Sequence, residues 1–303
     1  MFWLKENAEF LNILECTGQA GDAVLDTYAP LYDRIDQTIA TYPQYYRFLL
    51  SLCLDLEDLG MPGSKGVALT DWVTAQGLAE AELSDLQRAE ALRLLARRGD
   101  APSDNALSDR LQRFAARTTT FSVPNRKAAY ELTHIVFYLS EYGRVVPDLD
   151  PNIYRSLSFV GLMAYLDQDF DLLAEICIAQ RYAGVQPNAI WESAVLSALE
   201  QTDAIECSQP AETHHDGYHG YLVCSWLAGA TAEKTLPLML NGGPARINLP
   251  EPAARPLRNM SFAIEDGTLL SDWESARAGL MSDLDEDGQF LLHEAERLSL
   301  IHI

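Results

Sequence analysis

Phe170-Asp171-Leu172-Leu173-Ala174-Glu175-Ile176-Cys177-Ile178-Ala179-Gln180-Arg181-Tyr182-Ala183-Gly184 sets the pattern of this chain. An aromatic residue opens the stretch, apolar residues recur three and four positions apart, and a glycine closes it. That spacing is the apolar stripe of an α-helix. The glycine is the residue that stops one, because it enters the left-handed region without a Cβ penalty. Tyr46 with Gly60, Tyr130 with Gly143 and Tyr218 with Gly229 frame stretches of the same form.

Outward from there, residues 10–14, 23–39, 45–59, 79–96, 128–142, 153–166, 172–182, 190–199 and 218–227 all carry helical apolar spacing. Pro30 is expected to break or kink the second of these. Strand-type alternation is scarce; residues 235–240 are the best match, and Pro237 weakens it. Gly18, Gly60, Gly99, Gly143, Gly184 and Gly229 follow helical runs at spacings of 42, 39, 44, 41 and 45 residues. A period near 40 is about one helical hairpin, the unit of stacked or ring-closed helix pairs. The expected fold is therefore all-α, built from helical-hairpin repeats in a toroid-like arrangement with a short acidic helical appendage. Residues 1–235 form the repeat domain. Residues 236–259, rich in Gly and Pro, read as a linker. Residues 260–297, with ten acidic and two basic side chains, form the appendage. Residues 298–303 (Leu-Ser-Leu-Ile-His-Ile) match one reading frame of a sequencing-adapter end, so they are kept out of the fold.

The 303 residues include 44 acidic and 22 basic side chains, a formal charge of -22, and 48% are hydrophobic. That apolar content supports a packed core. The charge disfavours nucleic acid and anionic membranes, which require a cationic face. The first residues lack the basic-then-apolar order of a signal peptide, and acidic residues interrupt every long apolar run, so a cytoplasmic protein is expected. Cys16, Cys53, Cys177, Cys207 and Cys224 are odd in number and widely spaced, the usage of buried, reduced thiols.

Histidine is rare, with six in the chain, and four fall in two places: His134, and the cluster His214-His215-Asp216-Gly217-Tyr218-His219. On helices, Glu131 and His134 share a face, as do His215, Asp216 and His219. Between them in sequence, the helix ending at Gly184 offers Asp167, Asp169, Asp171 and Glu175 at its start. Imidazoles and carboxylates together are donors for zinc or iron. His134, His215, His219, Asp171 and Glu175 are the expected ligands, with Glu131 and Asp216 as catalytic base or orienting groups. The plainer reading makes His134 a hydrogen-bonded core residue and the 214–219 cluster a solvated helix start. The aspartates do not match the acid-rich boxes of terpene synthases.

Asp283-Leu284-Asp285-Glu286-Asp287-Gly288-Gln289-Phe290-Leu291-Leu292-His293-Glu294 fits a twelve-residue calcium loop, with Asp283, Asp285, Asp287 and Glu294 as oxygen donors and Gly288 at the turn. Leu291 at the ninth position departs from it, and an acidic helix start is the alternative. Gly60-Met61-Pro62-Gly63-Ser64-Lys65-Gly66 lacks the order of a phosphate-binding loop and reads as a plain connection.

Glu131-Leu132-Thr133-His134-Ile135-Val136-Phe137-Tyr138, with His215-Asp216-Gly217-Tyr218-His219-Gly220-Tyr221-Leu222-Val223 downstream, resembles a bacterial family of helical proteins of unknown function. The resemblance covers residues 130–230 and implies no activity. The repeat layout is also similar to the α/α toroids of protein prenyltransferases and lanthipeptide cyclases. Those bind zinc through Asp/Cys/His or Cys/Cys/His, whereas Cys224 is the only cysteine near the histidine cluster here. Two functions follow: a metal-dependent enzyme acting on a small molecule or peptide, or a non-enzymatic acidic helical-repeat protein that binds a peptide or protein partner. The oligomeric state is not written in the sequence.

Overall fold

The computed structural model describes residues 2–18, 22–206, 217–231, 245–252, 254–265 and 272–297. Helices dominate. The first seven are α1 (Phe2–Thr17), α2 (Asp22–Tyr32), α3 (Ile35–Thr41), α4 (Tyr46–Asp58), α5 (Lys65–Ala75), α6 (Asp85–Ala96) and α7 (Leu107–Ala115). Then come α8 (Thr118–Phe121), α9 (Arg126–Leu139), α10 (Pro151–Asp167), α11 (Phe170–Tyr182), α12 (Ala189–Glu200) and α13 (Tyr218–Ala230). The last three are α14 (Pro256–Glu265), α15 (Trp273–Asp283) and α16 (Glu286–Arg297). The fold is all-α. Among the described residues the strands are β1 (Asp203–Glu206) and β2 (Ala245–Asn248), antiparallel, with Asp203 opposite Asn248 and Glu206 opposite Ala245. Residues 235–240 lie outside the described residues.

The chain divides into two units. The first takes residues 1–114 and 134–147, the second residues 115–133 and 148–303. The first half of α9 belongs to the second unit, and its second half to the first.

In the first unit α4 is the central helix, and α1, α2, α3, α5 and α6 all pack on it. Every residue from Leu49 to Leu56 is buried. A helix apolar on all sides belongs inside its unit. Asp55 interrupts that apolar run and is itself wholly buried. Its charge is met by Arg97, 2.7 Å away, and by the Ser51 hydroxyl at 2.9 Å. Arg97 also donates to Asp58 at 2.6 Å, and Arg98 donates to the same carboxylate. Pro30 does not break α2 where it stands. The helix runs on to Tyr32 and ends in a turn at Asp33 and Arg34.

In the second unit α11 takes the central place, contacting α10, α12 and α13. Its residues from Leu172 to Gln180 are buried without a gap. α10 carries α8 on one part of its surface and α14 and α16 on another. Two helices of the acidic segment after 256 thus pack on α10 within the second unit. Neither unit by itself establishes the hairpin-ring layout inferred from glycine spacing. Each has one helix on which several others pack.

The glycine stops are real at most of the inferred places. Gly60 and Gly184 have φ of +107° and +78°. Around Gly184, Val185 N–H reaches Gln180 O at 2.9 Å and Gly184 N–H reaches Arg181 O at 3.0 Å. This closes the carbonyls that a helix end leaves unpaired. Gly229 is different, since it lies inside α13. Lys65 and Gly66 begin α5, so the Gly-Ser-Lys-Gly stretch is a loop running into a helix. Cys53, Cys177 and Cys224 are buried free thiols and Cys16 is half-buried; Cys207 lies outside the described residues.

Candidate metal centre

Asp169 starts α11 as its N-cap, accepting from Leu172 N–H at 3.3 Å. Asp171 follows in the first turn, where the helix dipole favours negative charge. Glu175 lies one turn further along on the same face, four residues on. Its position in the buried run leaves the residue 3% exposed, and the Thr133 hydroxyl donates to Oε2 at 2.5 Å. Ionised groups are kept inside only when partnered.

The third member comes from α13. Gly217 N–H donates to Ile247 O of β2 at 2.8 Å, and a Cβ on Gly217 would lie 2.9 Å from that same oxygen. At Gly220 a Cβ would meet Leu249 Cδ1 at 2.7 Å. Two glycines therefore let the first turn of α13 seat closely on β2 and Leu249. That seating brings His219 to α11, with Nδ1 2.8 Å from Asp171 Oδ2. One donor atom from each of Asp171, Glu175 and His219 lies within 4.8 Å of the others. Asp171 Oδ1 is buried and, among the described residues, accepts no hydrogen bond.

Residues 1–300 match the model of a family described as "Domain of unknown function (DUF6902)". The chain belongs to this family. No curated protein and no solved structure matches it.

In this DUF6902 chain one face of α9 borders the trio. Arg126, Tyr130 and Thr133 stand at helical spacing along it. Arg126 pairs with Asp169 at 3.1 Å and donates to the Tyr130 hydroxyl at 3.2 Å. Burial, and then the charges of Asp171, Asp169 and Glu175, push the Tyr130 hydroxyl well above its ordinary range, so it keeps its proton. Burial is the largest influence on Arg126 and works against its charge, but Asp169, Tyr130 and Asp171 together outweigh it and raise the guanidinium further. Asp169 itself is pushed up by burial despite Arg126. Burial and the nearby Asp171 and Asp169 hold the Cys224 thiol protonated, and it donates to Phe170 O at 3.8 Å.

The other sequence candidates are placed differently. His134 belongs to the first unit, where its ring stands 5.9 Å from those of Phe137 and Tyr138; it is not a member of the trio. Glu131 is paired with Lys127 on the surface of α9, at 3.9 Å. His215 and Asp216 lie outside the described residues. The segment fitted to a calcium loop is helical from Glu286, with Asp285 Oδ1 accepting from Gly288 N–H at 2.8 Å as a helix-start cap. Glu294, the expected last donor, pairs with Arg297 at 2.8 Å. A twelve-residue calcium site wraps its oxygens around the ion from an open loop, and a helix from the fourth position onward spreads them along an axis instead. Among the described residues no helix is long and apolar enough to cross a membrane.

Proposed function

We propose that the protein is a metal-dependent enzyme whose divalent ion, zinc or iron, is held by Asp171, Glu175 and His219. The observation that carries this reading is the convergence of two carboxylates and an imidazole, from two helices, within 4.8 Å of one another. Zinc–oxygen and zinc–nitrogen bonds of about 2.0–2.2 Å put tetrahedral ligands roughly 3.4 Å apart. The separations within the trio, at most 4.8 Å, exceed that value by no more than about 1.4 Å. The single proton shared by His219 Nδ1 and Asp171 Oδ2 is what an ion would replace.

Three protein ligands leave a position open, at which such an ion supplies an activated water or polarises a substrate oxygen. This chain's own residues do the rest. Glu175, fixed by Thr133, and Asp171 bring the negative charge that holds a cation in a buried place. Tyr130 keeps a proton on its hydroxyl beside them, available to a substrate oxygen. Arg126 aligns that hydroxyl by donating to it.

Metal analysis of protein purified without a histidine tag tests the reading. About one zinc or iron per chain, lost in His219→Ala and Glu175→Gln and kept in His134→Ala, supports it. A metal-free protein that folds normally, and that takes up none of these metals on titration, overturns it. His219 and Asp171 are then a structural ion pair, and the partner-binding reading of an acidic helical protein takes its place.

A further inference from the structure

The corner between α10 and α11 carries a half-open cleft of about 100 Å³. Phe121, Val160, Met163, Leu172 and Leu257 form its apolar walls. Val123, half exposed, stands in the same lining. The polar end holds Arg126, Asp167 and Asp169. Asp169 and Leu172 line the cleft on either side of Asp171 in sequence, so the first turn of α11 serves both the cleft and the trio.

The charges at the polar end do not balance. Arg126 is engaged by Asp169 at 3.1 Å and by the Tyr130 hydroxyl. Asp167 makes no side-chain hydrogen bond or ion pair among the described residues. One uncompensated carboxylate therefore closes an apolar cleft. The helix ends act in the same direction. Asp167 is the last residue of α10, whose terminal carbonyls favour a cation, and the start of α11, which favours an anion, is already capped by Asp169.

We propose that this cleft binds a ligand with an apolar body and a protonated amine, the amine on Asp167 and the body along Phe121, Met163 and Leu172. Ligand sites combine mostly apolar walls with a few oriented polar groups, and a cleft of about 100 Å³ suits a short-chain amine and not a large molecule. The role of the cleft as a substrate pocket rests on the metal-centre reading; its preference for amines does not.

Calorimetric titration of the full chain with butylamine, hexylamine, hexanol and hexanoate, with EDTA present and then with zinc, tests both. Hexylamine is expected to bind at least tenfold more tightly than hexanol or hexanoate. Each methylene added between butylamine and hexylamine should tighten binding about fourfold. Asp167→Asn should bring hexylamine down to the level of hexanol, and Met163→Trp should remove binding of both. Asp167 is unpaired and partly exposed, so the asparagine variant keeps its fold and reads the charge alone. Equal or tighter binding of hexanoate, no dependence on chain length, unchanged amine preference in Asp167→Asn, or no binding of any probe overturns the cleft proposal. Zinc binding without amine preference sinks the cleft alone; amine preference without zinc binding sinks the metal centre alone.

Discussion

His219 Nδ1 and Asp171 Oδ2 stand 2.8 Å apart, joining the first turn of α13 to the first turn of α11. The second oxygen of Asp171 is buried and meets no donor among the described residues. A carboxylate so divided can orient the imidazole or itself be a ligand, and the two roles differ in size. Loss of a group that only orients a ligating histidine costs about 10–100-fold in metal affinity. If Asp171 ligates the ion directly, Asp171→Ala removes binding altogether, while His219→Ala and Glu175→Gln do the same. Zinc titration against a competing chelator measures it, and the expected outcome is loss beyond 100-fold in all three.

Thr133 and Glu175 make a second testable pair. The hydroxyl of Thr133 is one partner of the carboxylate of Glu175, a residue that is 3% exposed. Thr133→Val keeps the volume and removes the donor, so the buried charge loses part of its compensation. A cost of about 1–3 kcal/mol is expected. Urea unfolding measures it, and zinc should reduce the difference, because a bound cation satisfies the same carboxylate.

These two pairs show what the sequence could tell and where it stopped. The helices of the second unit were legible because α10 to α13 carry strong apolar spacing and α11 ends at Gly184. Asp171, Glu175 and His219 stood out as rare or clustered donors at helix starts. The contribution of α9 was harder to read. Glu131 and His134 are the chemically conspicuous residues there, yet the site is bordered by Arg126, Tyr130 and Thr133. Successive helical positions are turned by about 100°, so the face carrying 126, 130 and 133 is not the face carrying 131 and 134. Within one helix, periodicity says which residues share a face, not which face meets a neighbour. β1 and β2 were missed for a related reason. Four residues each are too few for alternation to register, and their pairing spans about 40 positions of sequence.

Gly217 provides a test of how His219 is held. Its N–H binds Ile247 O, and a methyl group in its place would press on that same oxygen at 2.9 Å. Backbone gives way less readily than a side-chain tip. Gly217→Ala should therefore push β2 off α13, costing about 1–3 kcal/mol in stability. His219 shifts with its helix, so zinc affinity should fall by about tenfold although no donor atom has been removed. Gly279→Ala, where no atom lies within 4 Å of the added group, should leave zinc affinity unchanged. Equal zinc affinity in Gly217→Ala and wild type would show that the seating on β2 does not position the imidazole.

Asp58 gives a pH dependence with a definite sign. Burial alone would raise its carboxyl, but hydrogen bonds from Arg97 and Arg98 outweigh burial and bring it below the ordinary carboxylate value. A folded-state value below the unfolded one means that the unfolded chain binds the proton more readily. The stabilisation is then present above the unfolded carboxyl value, about 3.9, and is lost as pH falls through it toward the folded value. Asp58→Asn removes the charge at every pH. At pH 7 the variant should be less stable than wild type by on the order of 1 kcal/mol, since the carboxylate is partly exposed and solvent screens it. As pH falls below about 3.9 the gap between the two unfolding curves should narrow, because the unfolded chain then takes up a proton more readily than folded Asp58 does. A gap that persists unchanged at low pH would assign the loss to hydrogen-bond geometry and not to charge.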